Sequence, residues 1–135
     1  MSDCLFCKIV AGEIPSSKVA ESDTALAFDD IAPQAPVHVL VVPKQHITSA
    51  DHVTTDHCCA VDDLVLLAQQ AADIKGIRAS GYRLVMNVGA DAQMTVPHMA
   101  GPQRLARMRS ERSWRALASR ALARRRESGR ARFRP

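Results

Sequence analysis

Two cysteines near the start of the chain have a spacing that suits metal binding. Cys4 and Cys7 lie in the segment DCLFCKIVA, whose apolar residues recur at helical spacing, so both sulfurs lie on one face of a single turn. Thiolates are common ligands of structural Zn²⁺. For the pair taken alone, two small buried hydrophobic residues are an equally good interpretation. The other cysteines, Cys58 and Cys59, fit most simply as helix or core residues.

Two histidines follow apolar segments and are further candidates for chemistry. His46 comes just after the run VHVLVVP, and His98 follows an apolar run, a Gly-Ala-Asp turn and the start of a second strand. Imidazole can bind a metal, act as a nucleophile or carry a proton near neutral pH. A histidine at a strand end is more often a packed or solvated group, so His46 needs a partner before it is given a role.

The apolar pattern predicts an α+β domain with a mostly antiparallel sheet. Leu64 and Leu67 belong to the stripe that predicts the long helix, with Thr55 or Asp56 as its cap and Gly76 as its end. A second apolar strip on this helix suits contact with a partner subunit or a buried core position. The predicted elements are a short helix over 3–11, strands over 18–21, 24–29 and 37–43, a long helix over 54–75, and strands over 81–88 and 95–98.

Charge divides the chain into two unequal parts. Residues 1–102 contain six Lys or Arg against twelve Asp or Glu, whereas residues 103–135 contain twelve Arg against two Glu. The first part therefore carries a net charge of −6 and the second +10. With 135 residues in all, the chain has room for one domain with a sizeable core, which we place at 1–102, followed by an Arg-rich tail. The overall net charge of +4 says nothing about nucleic-acid binding by the acidic domain.

Targeting signals are also missing from the sequence pattern. No stretch approaches the roughly 20 apolar residues of a membrane span, and the start MSDCLFCK lacks the basic-then-apolar order of a signal peptide. We therefore expect a cytoplasmic protein without a membrane partner.

Three segments resemble successive signatures of the histidine triad (HIT) superfamily, on its Hint branch. They read CLFCKIVAGEIPSSKV, LAFDDIAPQAPVHVLVVPKQHI and YRLVMNVGADAQMTVPH, and the similarity covers residues 3–98 in register. The resemblance implies a HIT-like α+β protomer, pairing of two protomers into one continuous sheet, and binding of purine nucleotides. It also implies hydrolysis of nucleoside phosphoramidates through a nucleotidyl-histidine intermediate.

The sequence departs from this family at the catalytic strand. The family pattern is His-φ-His-φ-His-φ-φ, with φ apolar, which places three imidazoles on one face of a strand, and the second histidine is the nucleophile. His98 matches the first position, whereas Ala100 and Pro102 stand at the second and third. Neither can form a phosphohistidine bond. We therefore expect a truncated final strand and a catalytically impaired protein, with an active hydrolase that uses another nucleophile as the alternative.

The resemblance further implies two sets of ligand-binding residues. The family's zinc ligands correspond to Cys4, Cys7, His46 and His98, which would form a closed, structural Zn²⁺ site. For a purine nucleotide such as AMP or GMP, the matching residues are Asp30 at the ribose, Phe28 and Ile31 at the base, and Asn87, Thr95 and Val96 near the phosphate. A turn acid is the alternative for Asp30, and Gln93-Met94 replaces the usual Gly-Gln pair. We expect weak nucleotide binding and a weakened homodimer.

The tail over 103–135 allows three interpretations. It is a basic segment that binds nucleic acid through phosphate charge, a short amphipathic helix around Trp114, or coding sequence translated out of frame. We favour the third, because the composition changes directly after His98, within the motif itself. Retranslation of the DNA beyond codon 98 in the other two frames would test it.

Overall fold

A three-stranded antiparallel sheet lies between two helices in residues 3–100, the part of the chain that the computed structural model describes. The strands occur in the order β1-β2-β3, so β2 is central among them. The elements in chain order are α1 (Leu5–Val10), β1 (Lys18–Glu21), β2 (Ala25–Asp29), β3 (Val39–Pro43) and α2 (Cys58–Ile74), with short 3₁₀ turns at Ala50–His52, Thr55–His57 and Ala90–Ala92. This arrangement confirms the predicted α+β class and the mostly antiparallel sheet.

The pairing of β2 with its neighbours fixes which side chains share a face. β2 pairs with β3 without interruption, from Ala25 opposite Pro43 to Asp29 opposite Val39. Its pairing with β1 shifts by one residue after Lys18, which is a β-bulge. Because side chains alternate across a strand, this register gives the sheet two distinct apolar faces.

Each face of the sheet packs against one helix. Ala25, Ala27, Val39 and Val41 face α2, whose Leu64 and Leu67 are almost fully buried. Leu26, Phe28, Leu40 and Val42 face the other way, towards Phe6 of α1. Full burial of a leucine side chain stabilises a fold by roughly 1.5–3 kcal/mol. The two helices therefore lie on opposite sides of the sheet, so the side chains of α1 and those of α2 are separated by the sheet.

The helix boundaries differ slightly from those predicted. Cys4 is the N-cap of α1, so the helix begins two residues later than predicted, and Asp3 lies 3.8 Å from the Lys8 ammonium. The predicted long helix is confirmed as α2, but its first turn is the 3₁₀ turn at Thr55–His57. Neither Thr55 nor Asp56 is the cap. Thr54 is the N-cap of the 3₁₀ turn, and its N–H donates to His57 Nδ1 at 3.0 Å, while His57 is the N-cap of α2. Gly76, at φ +68°, follows the helix end as predicted.

The strands predicted over 81–88 and 95–98 are wrong. Neither segment is a β-strand, and residues 96–98 form a bend. An alternating apolar pattern shows only which side chains would lie on each face of a strand. A strand also requires a neighbouring strand that accepts and donates backbone hydrogen bonds. Within residues 3–100, β3 pairs with β2 alone, so the sheet offers these segments no ladder. Leu84 and Met86 are consequently about 40% exposed.

Some predictions fall beyond the described part of the chain. Pro102, the truncated end of the triad strand and the tail over 103–135 lie outside residues 3–100. Within that range, no helix has the length and apolar character needed to cross a membrane.

Candidate metal and nucleotide site

Four side chains from three separate segments of the chain converge beside α1. Cys4 and Cys7 come from α1 and its cap, His46 from the loop after β3, and His98 from the bend at 96–98. Their ligand atoms all lie within 4.8 Å of one another. The Sγ of Cys4 is 3.3 Å from Nδ1 of His98, and the Sγ of Cys7 is 3.2 Å from Nδ1 of His46. The two histidine Nδ1 atoms are 3.2 Å apart.

These separations match those of a tetrahedral metal site. With metal–sulfur and metal–nitrogen bonds of about 2.3 and 2.0 Å, tetrahedral geometry places neighbouring ligand atoms about 3.3–3.8 Å apart. The three distances given above, and the 3.5 Å from the Sγ of Cys7 to Nδ1 of His98, agree with this range to within a few tenths of an ångström. The cluster can therefore hold a metal ion, as predicted for these four residues.

A hydrogen bond to the backbone orients His98 towards the cysteines. Its Nε2 lies 2.9 Å from the carbonyl oxygen of Pro43 and donates to it, which leaves the lone pair on Nδ1 facing the cluster. Phe6 packs edge-on at 5.9 Å, and the imidazole is fully buried. Burial lowers the pKa of His98, the charge of His46 lowers it further, and the Pro43 carbonyl opposes both. Neutral imidazole, the metal-binding form, is therefore favoured.

The position expected to carry the family's nucleophile is occupied by a packed methyl group. Ala100 is 4% exposed and belongs to the apolar cluster around Phe6 and Phe28. Its side chain has no atom that can attack phosphorus. Among the triad positions within residues 3–100, only position 98 is a histidine. The two ring nitrogens of His98 face the Pro43 carbonyl and the cysteine pair.

The residues matched to ribose and base lie at the end of β2. Asp30 is half-buried; its Oδ1 accepts the N–H of Ala32 at 2.9 Å, and its Oδ2 is 3.3 Å from Nε2 of His38. Ile31 is 98% exposed, whereas Phe28 is buried and packs edge-on against Phe6 at 6.0 Å. Ile31 is accessible to a ligand, and Phe28 forms part of the core.

Two of the three residues matched to the phosphate lie beside the metal cluster. Thr95 is exposed, while Val96 and Asn87 are partly buried. An open cleft of about 440 Å³ brings Thr95 and Val96 next to the metal ligands; it is lined by Asp3, Cys4, Leu5, His46, Thr95, Val96 and Pro97. Asp30, Ile31 and Asn87 are not among its lining residues.

His38 is a site residue that the sequence reasoning missed. It is 6% exposed, and its Nδ1 accepts the N–H of Gln34 at 3.2 Å. The proton must therefore be on Nε2, which donates to Asp30. A signal was present in the sequence, since His38 is a polar residue that directly precedes the most apolar strand.

Comparison with known proteins identifies the family. Residues 3–100 match the family described as "Scavenger mRNA decapping enzyme C-term binding". An uncharacterized HIT-like protein of Synechococcus elongatus is 43% identical over 97 residues, which is 72% of this chain and 84% of that protein. The purine nucleoside phosphoramidase of Escherichia coli is 37% identical over 97 residues, covering 72% of this chain and 82% of the enzyme.

Solved structures give the same result. A HIT family hydrolase from Legionella pneumophila superposes with a TM-score of 0.74 at 40% identity, covering 80% of this chain and 95% of the other. A histidine triad protein from Clostridium difficile superposes with a TM-score of 0.76 at 39% identity, covering 82% and 95%. The chain therefore belongs to the histidine triad superfamily, on its Hint-like branch, and is related to the purine nucleoside phosphoramidases.

Proposed function

We propose that this protein binds a purine nucleotide such as AMP or GMP, holds one structural zinc ion, and does not catalyse the hydrolysis typical of its relatives. One observation carries the proposal. Both ring nitrogens of His98 are engaged, by the cysteine cluster and by the Pro43 carbonyl, and Ala100 stands where a nucleophilic imidazole is needed. A histidine without a free nitrogen lone pair cannot attack phosphorus.

The chain's other four histidines do not replace the missing nucleophile. His46 belongs to the metal cluster, and both nitrogens of His38 have partners. His52 and His57 lie in the 3₁₀ turns that precede α2, which packs on the opposite face of the sheet from the cluster. This distribution supports a protein that retains the fold of the family without its chemistry.

Zinc would act as a structural tie in this proposal. Cys4, Cys7, His46 and His98 would hold it, and four protein ligands leave no open position for a reacting water. When bound, the ion would link α1 to the loop after β3 and to the bend at 96–98. The Pro43 carbonyl already holds His98 in the tautomer that a metal requires.

Asp30 is prepared to bind a ribose. Each carboxylate oxygen accepts one hydrogen bond from the protein, which fixes the carboxylate plane and leaves other lone pairs for the ribose hydroxyls. Ile31 supplies exposed apolar surface for a purine ring. The net charge of −6 over residues 1–102 opposes a phosphate, which accounts for the weak affinity proposed.

Calorimetric titration with AMP and GMP tests this proposal. Asp30→Asn should weaken binding at least tenfold, or about 1.4 kcal/mol, because charge-assisted hydrogen bonds to the ribose are lost. Asp29→Asn is the matched control, since Asp29 pairs with Lys75 of α2 at 2.7 Å on the other face of the sheet. Equal affinity of the wild type and Asp30→Asn would contradict the assignment, as would an equal loss in both variants.

A weakened homodimer belongs to the same proposal. Five large apolar side chains of α2 and the following segment are at least 37% exposed, namely Val65, Leu66, Ile74, Leu84 and Met86. Exposed apolar surface of this kind supports pairing of two protomers. Sedimentation velocity over a range of protein concentrations should show a reversible monomer–dimer equilibrium, and a sedimentation coefficient independent of concentration at the monomer value would contradict it.

A further inference from the structure

Cys58 and Cys59, which open α2, form a close pair of thiols at the surface. Both side chains are exposed, and their sulfurs are 3.7 Å apart. The residues are therefore in a helix, as predicted, but the alternative of core positions is wrong. Adjacent helical residues project about 100° apart, so the sulfurs meet because the two side chains turn towards each other. This places two soft donor atoms side by side in solvent.

The pair is distinct from the cysteine–histidine cluster. α2 packs against Ala25, Ala27, Val39 and Val41, whereas Cys4 belongs to the cluster on the opposite face of the sheet. Within residues 3–100, the group with Cys4 is the only one in which three or more metal-ligating side chains converge. The thiols of Cys58 and Cys59 thus offer two protein ligands and no third.

The spacing of the thiols favours a bent chelate over a disulfide. Consecutive Cα atoms across a trans peptide are about 3.8 Å apart, below the lower limit of about 4.4 Å for ordinary disulfides. Two bonds of about 2.3 Å, the length of a metal–thiolate bond, place the sulfurs about 3.5 Å apart at the angle of about 100° of a pyramidal centre, while a linear arrangement requires about 4.6 Å. The 3.7 Å between the two sulfurs is close to the bent geometry and far from the linear one, and the helix does not have to unwind.

The electrostatics of the pair also favour a ligand that binds both sulfurs. Contact with Cys58 raises the pKa of the Cys59 thiol, and the nearby carboxylate of Asp62 raises it further. Two thiolates so close together repel each other. A centre that forms a covalent bond to each sulfur removes both negative charges, so the pair is better suited to a covalent chelate than to a free dithiolate.

We propose that Cys58 and Cys59 form a surface dithiol site for one trivalent arsenical, a ligand class that takes two sulfurs in a bent arrangement. Phenylarsine oxide is the probe. Its As–O bond breaks, two As–S bonds form, and the two thiol protons leave with the oxygen as water. Arsenic remains trivalent, so no oxidant or reductant is needed.

Mass spectrometry of the intact protein, loaded with zinc, tests the site. The wild type should bind phenylarsine oxide in an adduct that survives excess 2-mercaptoethanol and is released by 2,3-dimercaptopropanol, because only a second dithiol competes with a chelate. Cys58→Ser and Cys59→Ser should each bind one equivalent fewer than the wild type. Cys7→Ser, which should lose zinc but keeps both thiols of the Cys58–Cys59 pair, is the control and should retain that equivalent.

Two results would overturn the proposal. One is an unchanged number of monothiol-resistant equivalents in either Cys58→Ser or Cys59→Ser. The other is removal of the wild-type adduct by 2-mercaptoethanol. Both residues are exposed, so thermal melting of the serine variants should match that of the wild type and exclude misfolding as the cause.

Discussion

Removal of one buried metal ligand should reveal how much of the fold depends on the ion. Cys4 is 8% exposed and its Sγ is 3.3 Å from the Nδ1 of His98, so Cys4→Ser removes a ligand with little change in volume. A ligand that binds only the folded state stabilises it by about 2.7 kcal/mol when its free concentration is 100 times its dissociation constant. For a domain of about 100 residues, each kcal/mol corresponds to about 4–8 °C in Tm. The wild type should therefore lose about 10–20 °C on chelation.

Differential scanning calorimetry with and without a chelator measures this loss. Cys4→Ser should melt near the chelated wild type and show no further change with chelator. Cys58→Ser is the matched control, because its thiol lies on α2 and should leave the chelator response intact. A wild-type Tm that does not change on chelation would refute the proposed structural zinc, and so would a full chelator response in Cys4→Ser.

Three further predictions concern the core, the ribose site and acid stability. Leu67 is 1% exposed, so Leu67→Ala should lower the free energy of unfolding, measured by urea titration, by about 2–5 kcal/mol. Ile31 is 98% exposed, so the control Ile31→Ala should change it by less than about 0.5 kcal/mol. His38→Ala should weaken AMP binding about tenfold in calorimetry, because Asp30 loses a donor, and should leave the zinc content measured by atomic absorption unchanged. Hydrogen bonds from Ser22 and Thr24 lower the pKa of Asp63 in the folded state. The stability that these bonds contribute is therefore present above the unfolded pKa of about 3.9 and is lost as pH falls through the folded pKa. The difference in Tm between wild type and Asp63→Asn should shrink from pH 6 to pH 3.

Local patterns in the sequence predicted the helices and the first three strands well. The stripe through Leu64 and Leu67 and the apolar run of β3 both encode burial directly. α2 therefore begins four residues and β3 two residues later than predicted, and both end within one residue of the predicted bound. The strands over 81–88 and 95–98 failed because their pairing depends on a neighbour elsewhere in the sheet. Alternation in the sequence carries no information about that neighbour.

The candidate metal site could not be derived from spacing alone. Cys4 and Cys7 are one helical turn apart, but Cys4 and His98 are separated by 94 residues, and only the fold brings them together. The family resemblance supplied the four-residue set that the structure places in one cluster. The role of His38 and the contact between Cys58 and Cys59 depend on side-chain orientation, which a sequence pattern does not encode.

We propose that this HIT-family protein, with Ala100 at the nucleophile position, binds nucleotide without turning it over. The most direct measurement is the steady-state release of amine from a purine nucleoside phosphoramidate by the zinc-loaded protein. The rate of amine release should equal that of buffer alone, even at substrate concentrations as high as the AMP concentrations that saturate the site in calorimetry. Release above the buffer rate that disappears in His98→Ala would contradict the claim, because His98 would then take part in catalysis despite its contacts with Cys4 and Pro43.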